Sequence, residues 1–433
     1  MSSDDGGDAV SGELTALLTR LAELADQPTD PSCGVPDAAR IDRIALLEQT
    51  RAALAAAQHT EMVAFARAHV EAQAGLVAAH ELDPRDLGKG IADQIALACH
   101  VSPTVGSRRL GVAQALADDL PCTRALLAAG RVSERVAELV VSWTSHLDPE
   151  LRRLVDKQVA DSGIETQSRF AAEATIKRLA YEADPAGFTQ RGRTARTQRR
   201  VTLRPAPDTM SVLSGLLPVE QGVACITALR RHADTLIAGG DADGRTRDQI
   251  VADTLVERVT GQTFAEDVNV EVGIVLPLDA LTDTDGPGIG EVVGYGPLPG
   301  GIVADLLNST QGRKWWRRLF THPRSGRLVG GDPQRRLFDG FLAGLIHYRD
   351  HGRCRDPYCG APARHTDHIR GRTAGGPTSL GNGRRTCVRG NQVKELPGWS
   401  TDLLDDGLGD HPHEVRTTTP TGHTYTSRAD DPP

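Results

Sequence analysis

The sequence predicts an α+β multidomain protein with a mostly helical N-terminal region, a mixed α+β middle and a small C-terminal module organised by cysteines and histidines. Three observations carry this reading. Leu14, Leu17, Leu18, Leu21 and Leu24 repeat at the spacing of one helical face, and alanine-rich stretches follow it. Val268, Val270 and Val272 alternate with polar residues, as on a half-buried strand. Cys354, Cys359 and Cys387 bracket a segment dense in His, Asp and Asn.

The boundaries expected from composition are residues 1–185 for the helical region, 186–345 for its mixed continuation, 346–400 for the module and 401–433 for an acidic, poorly ordered tail. At 433 residues the chain has room for several cores. Its 39% hydrophobic and 24% charged residues are ordinary for a globular protein. The formal net charge of −8 excludes uniform coating of a polyanion, so any nucleic-acid contact must come from local basic patches. The N-terminus is acidic and lacks a basic segment followed by an apolar run, and no stretch is apolar enough to span a bilayer. The seven cysteines are odd in number and mostly scattered. A reducing cytoplasm is the expected setting, with no membrane and no organic cofactor.

Within the helical region the bland expectation is a bundle that buries its leucine and alanine faces. A sharper one concerns residues 91–113. One helix ends near Val101, and Ser102-Pro103 looks like an N-cap with proline at the first helical position, opening a second helix that carries Arg108 and Arg109. This is the pattern of a helix hairpin or of a DNA-reading helix-turn-helix. Arg191, Arg193, Arg196, Arg199, Arg200 and Arg204 follow Pro185 and Gly187 and read as a basic linker. Residues 201–204 and 210–216 read as short strands, 218–238 and 245–259 as helices, and 286–301, rich in Gly and Pro, as a loop. Trp315 and Trp316 sit among arginines, as core aromatics or base-stacking ones.

The segment from Cys354 to Lys394 carries the chemistry. Hydrolysis of a phosphodiester needs a base to activate water and a cation to stabilise charge on phosphorus and the leaving oxygen. His368 is the candidate base, because imidazole titrates near neutrality. Asp367 and Asn391 offer hard oxygen ligands suited to Mg²⁺ or Mn²⁺. Adjacent strand residues point to opposite faces, so Asp367 and His368 serve one site only near a strand end. Asn382 can pin the loop that carries His368 through both ends of its amide. Arg389 and Lys394 are the candidate phosphate contacts. Cys354, Cys359 and Cys387 have zinc-knuckle character but lack a fourth ligand, for which His365 and His351 are possible substitutes. Between Arg349 and Trp399 there are ten Arg or Lys and four Asp or Glu, a basic module in an acidic protein.

With these residues in view, 353–399 resembles the HNH endonuclease signature. His368 matches its first histidine, Asn382 its middle asparagine and Asn391 its last position, the His-Asn-Asn variant. The resemblance implies a ββα-metal (HNH) nuclease module that hydrolyses DNA with a divalent metal on Asp367 and Asn391, His368 as general base and a structural Zn²⁺. Two departures stand out. Gly390 occupies a usual zinc-ligand position, and Gly383 replaces a usual leucine, which is expected to loosen the turn beside the site. Residues 10–350 resemble the actinobacterial domain of unknown function 222, through stretches at 95–120, 120–140, 200–218, 248–256, 294–297 and 321–323. The alternatives are a non-catalytic DNA-binding protein with a degenerate HNH module, and an interaction scaffold.

Overall fold

A computed structural model of the chain describes residues 5–26, 36–261, 274–275, 289–292, 296–299, 302, 338 and 340–429. Helix α1 spans Asp5–Ala25 and α2 spans Asp37–Ala78. At 1.5 Å per residue the 42 residues of α2 extend about 63 Å. The expected leucine face of α1 is not buried: Leu14, Leu17, Leu18 and Leu24 are exposed, as are Ile41, Ile44 and Leu47 early in α2. Helical periodicity states which residues share a face, but a partner element must cover it.

That cover begins at Ala52. From there α2 packs against α3 (Ile91–Ala98), α4 (Pro103–Asp118), α5 (Pro121–Ala128) and α6 (Glu134–Thr144). Helices α7 (Pro149–Asp161) and α8 (Arg169–Ala183) close the core around Leu116, Leu120, Leu127, Val140, Val155 and Ile176. A second cluster joins Met62 and Val63 of α2 to Ile91, Ile95 and Leu110. Side-chain caps begin α6, α7 and α8, with Ser133, Asp148 and Ser168 accepting from Val136, Leu151 and Ala171 N–H. Buried Asp156 accepts from the Cys122 and Thr123 backbone N–H and the Thr123 hydroxyl, tying α7 to the start of α5.

The helix pair expected at 91–113 is present as α3 and α4. They cross closely at Gly106, where a Cβ would stand 2.5 Å from the Ala96 methyl. The basic stretch after Pro185 is not a linker. It forms helix α9 (Pro185–Ala195), a 3₁₀ turn at Arg196–Gln198, and strand β1 (Arg200–Pro205), paired antiparallel with β2 (Ser211–Leu216). Helices α10 (Val219–Gly239) and α11 (Arg247–Thr260) then pack together, with Arg247 bidentate on Asp234. Strands β3 (Ile274–Val275), β4 (Ile289–Val292) and β5 (Gly296–Pro299) form a small antiparallel sheet, two of them inside the stretch expected to be a loop. The Gly and Pro content misled because β5 is an edge strand, where a missing N–H is tolerated. Val268, Val270, Val272, Trp315 and Trp316 lie outside the described residues.

The C-terminal part comprises α12 (Gly340–Arg349), the hairpin β6 (His365–His368) and β7 (Gly383–Thr386), helix α13 (Val388–Val393), and strands β8 (Ser400–Asp405), β9 (Glu414–Thr418) and β10 (Thr424–Arg428). The expected poorly ordered tail is instead an antiparallel meander, β8–β9–β10. Its threonines and alternating burial favour strands despite the acidic composition. It docks on the hairpin: His413 Nε2 bonds Gly381 O at 2.9 Å, Ser427 Oγ donates to Arg355 O at 2.6 Å, and Thr401 Oγ1 donates to Ile369 O. The protein is thus mixed α+β, helix-rich at the N-terminal end with small antiparallel sheets toward the C-terminal end. Among the described residues no helix is long and apolar enough to cross a membrane.

Candidate functional site

The hairpin β6–β7 pairs His368 with Gly383 and Asp367 with Arg384, so His368 is the last residue of its strand. Gly383 does not loosen a turn. It is buried, and a Cβ there would lie 2.4 Å from Ile346 Cδ1 and 2.8 Å from Phe338 Cε1. The missing side chain lets α12 press onto the hairpin and seats Phe338 against the His368 ring, with centroids 4.5 Å apart.

Asn382 immediately precedes β7 and is buried. Its Oδ1 accepts from Arg370 N at 2.9 Å, and its Nδ2 donates to Arg370 O at 3.0 Å and Pro377 O at 2.7 Å. One amide therefore clamps both ends of the 370–377 loop. Gly376 makes the clamp possible, since a Cβ would meet Arg370 O and Asn382 Nδ2. Within the clamped loop's continuation, buried Thr378 places Oγ1 2.9 Å from His368 Nε2. Among the described residues no group hydrogen-bonds the other ring nitrogen, Nδ1. Burial, aided by Arg372 and Lys394 and opposed by Asp367, holds the imidazole below its ordinary pKa and hence neutral at pH 7.

Helix α13 packs on both strands of the hairpin. Asn391 and Lys394 lie three residues apart, on one helical face. From that face the Lys394 ammonium reaches Asp367 Oδ2 at 2.6 Å and the His368 carbonyl at 3.1 Å. Lys394 was expected to contact phosphate; it is instead largely buried against Asp367. Arg389 departs further from expectation. It points away from the hairpin and binds Asp93 of α3 through two bonds of 2.6 and 2.8 Å, and on α4 it donates to Pro103 O and Ser107 Oγ. The start of α4, which a DNA-reading helix would present to a groove, is thus engaged on one side by the chain's own C-terminal part, while Thr104 and Arg108 stay exposed. Trp399 and Leu396 against Gly90, and Tyr358 stacked on His100, extend this contact.

The basic excess of the segment is mostly structural. Arg349 pairs with Asp350 and donates to Leu380 and Gly383 carbonyls, Arg384 is fully buried against Asp356, Arg355 is buried, and Arg385 binds Thr366 and Ala363. Asp350 is itself buried and also receives the Arg385 N–H. Burial alone would raise its pKa, but Arg349 overrides this and holds it below the usual range. Arg364, Arg370 and Arg372 remain exposed. Arg370 and Arg372, on the clamped loop beside His368, are the cations sequence reasoning passed over; their position next to the histidine was the available signal.

Cys354, Cys359 and Cys387 converge, with all three Sγ atoms within 4.8 Å of one another, and could hold a metal ion. Neither His365 nor His351 belongs to the cluster. Cys387 caps α13 and accepts from Gly390 N at 3.3 Å. Hydrogen bonds from the Cys354 and Cys359 thiols, with the Gly390 and Arg389 N–H groups, hold Cys387 far below a normal thiol, toward thiolate.

Comparison with known proteins adds one assignment. No curated protein and no solved structure matches the chain. A family model, "Domain of unknown function (DUF222)", matches residues 42–350, from early α2 through α12 and ending before the cysteine cluster. The match spans more than half of the sequence, and the chain belongs to the DUF222 family.

Proposed function

We propose that the protein is a divalent-metal-dependent DNA endonuclease of the HNH type, working from residues 353–399. The observation that carries the reading is the surrounding of His368: a neutral imidazole at a strand end, with Nε2 engaged by Thr378 and Nδ1 left for a water, beside Asp367 and behind a loop pinned by Asn382. The order hairpin then short helix is that of a ββα unit.

In this reading His368 Nδ1 takes a proton from the attacking water, in the tautomer whose Nε2–H donates to Thr378 Oγ1, and that contact holds the ring in place. Asp367 and Asn391 would hold Mg²⁺ or Mn²⁺, which supplies charge stabilisation at phosphorus and the leaving oxygen. The donor set fits a hard cation: a carboxylate already demanding a positive partner, which Lys394 provides, and an amide on the same helical face as that lysine. Arg370 and Arg372 replace Arg389 and Lys394 as the phosphate contacts. The three thiols suit Zn²⁺ as a structural ion, holding the segment before β6 to the start of α13.

A second reading, a DNA-binding protein with a degenerate module, is favoured by the same Lys394–Asp367 pair, because a divalent ion must compete with the ammonium. Incubating purified protein with supercoiled plasmid and Mg²⁺ or Mn²⁺, then with EDTA, separates the two. Metal-dependent nicking that falls by about 10²–10⁴-fold in His368→Ala supports the enzyme. Plasmid binding without nicking supports the second reading.

A further inference from the structure

Between Asp184 and Asp208 the chain carries six arginines and no acidic residue, in a protein of net charge −8. We propose that this stretch is a second DNA contact. A track of arginines along the end of α9 and the β1–β2 hairpin would grip the phosphate backbone irrespective of base sequence, using residues other than those assigned to cleavage. The inference rests on the reading that DNA is the partner, which both forms of the proposed function share.

Folding gathers these arginines rather than dispersing them. Arg193 near the end of α9, with Arg196 and Arg199 around the 3₁₀ turn, lines an open groove of about 510 Å³ whose other wall holds Leu216, Leu217 and Val219. Strand pairing extends the row. Arg200 is registered opposite Leu216, and Arg204 opposite Val212. Directly opposed residues of an antiparallel pair share a face, so Arg200 and Arg204 stand on the face that carries Leu216 into the groove. Four residues along a strand advance about 13 Å, the rise of about four base pairs. Their charge is left over for a ligand. All five of these arginines are exposed. Among the described residues Glu220 is the one acid lining the groove, and it pairs with Arg196 at 2.7 Å; the other four arginines have no carboxylate partner there. Arg191 stands outside the row, bonded to the His146 ring at 2.8 Å. The class of partner follows from geometry. A guanidinium meets phosphate oxygens through a planar fork. Val201 and Leu203 are exposed too, but they alternate with Arg200 and Arg204 and so point to the opposite face of the hairpin. A lipid surface that took up those aliphatics would hold the arginines away from its headgroups, whereas a ridge of phosphates seated in the groove meets the arginines directly.

The test uses the full-length protein and two labelled DNA duplexes of unrelated sequence, without Mg²⁺ or Mn²⁺, with fluorescence anisotropy read across a salt series. Arg193→Ala/Arg199→Ala and Arg200→Ala/Arg204→Ala should each weaken both duplexes to the same degree. Each pair should also flatten the slope of log affinity against log salt by about two. Glu220→Gln, which frees Arg196, should tighten binding by about two- to fivefold at low salt. Because it predicts a gain, this variant guards against a loss caused by misfolding. Arg43→Ala/Arg124→Ala removes the same charge from exposed sites on α2 and α5 and should leave the slope unchanged. His368→Ala should bind with the wild-type slope, so a failed nuclease and a failed track are told apart. Duplex binding that keeps the wild-type affinity and slope in both groove and hairpin pairs would overturn the track and leave the nuclease reading to the plasmid assay. Stronger association with vesicles of phosphatidylcholine and phosphatidylserine than with either duplex, lost in the same variants, would overturn it in favour of a lipid surface. Neither duplex binding nor nicking by the wild-type protein would sink both the track and the proposed function.

Discussion

The helical region from α2 to α8 and the C-terminal part from α12 to β10 are held together in different ways. The first is an apolar core: Leu116, Leu120, Leu127, Val140, Val155 and Ile176, with helix caps at the surface. The second has a small apolar patch of Leu342, Leu345, Ile346 and Leu380, and buries Asp350, Arg355, Thr378, Asn382, Arg384, Thr386 and His413. Dispersion and hydrophobic burial are indifferent to atom identity, so an apolar core tolerates isosteric exchange. Buried hydrogen-bonded charges are not indifferent, because removing one partner leaves the other desolvated and alone. The candidate site sits in the second kind of region. There a residue's exact functional groups, more than its volume, hold His368 in place.

The largest expected stability effect tests this contrast directly. Asp350→Asn, nearly isosteric, should cost about 3–5 kcal/mol, since it strips the counter-charge from Arg349. Leu127→Met, of similar volume in the helical core, should cost less than about 1.5 kcal/mol. Denaturant midpoints of the two variants measure the difference, and equal losses would break the comparison. Next, Asn382→Ala should cost about 2–3 kcal/mol by orphaning the Arg370 N–H and the Arg370 and Pro377 carbonyls. Amide exchange should accelerate across 370–377 and leave α5–α8 unchanged.

The third expectation concerns pH. Burial, with Arg349 adding to it, lowers His413 to about 3. An unfolded chain protonates this imidazole near 6.5 while the folded one refuses the proton, so stability falls as pH drops from about 6.5 toward 3. The slope from this group is at most about 1.4 kcal/mol per pH unit. His413→Gln should flatten the decline in denaturant midpoint between pH 7 and 4.5; an unchanged slope would show that other groups set it. The smallest effect is on rate. Thr378→Val should lower plasmid nicking by about tenfold with little change in fold, because His368 loses the hydrogen-bond partner that holds its ring in place.

Much of this was legible in the residues. The strands at 200–216 and the helices at 219–260 follow from local pattern, as does the α3–α4 pair from Ser102-Pro103. The chemistry of Asn382 was legible too, since an amide that donates and accepts is suited to closing a loop. Three local signals failed for physical reasons. The α1 leucines form a helical face that nothing among the described residues covers. Gly and Pro at 286–301 read as a loop because composition does not tell an edge strand from a turn. The acidic tail read as poorly ordered because its order comes from docking on residues such as Gly381 and Arg355, not from its own hydropathy.

By itself, then, the sequence determined the inventory: three cysteines around a His-Asp-Asn segment, a glycine at 390, and an excess of arginine. It determined where helices start, because capping and proline act within a turn of the chain. Only tertiary structure decided what each charge does. Arg389 is spent on Asp93, 296 positions away, Lys394 on Asp367, and Arg384 on Asp356. Charge acts through space over a few ångströms, and which carboxylate comes within that distance of which guanidinium is settled by packing.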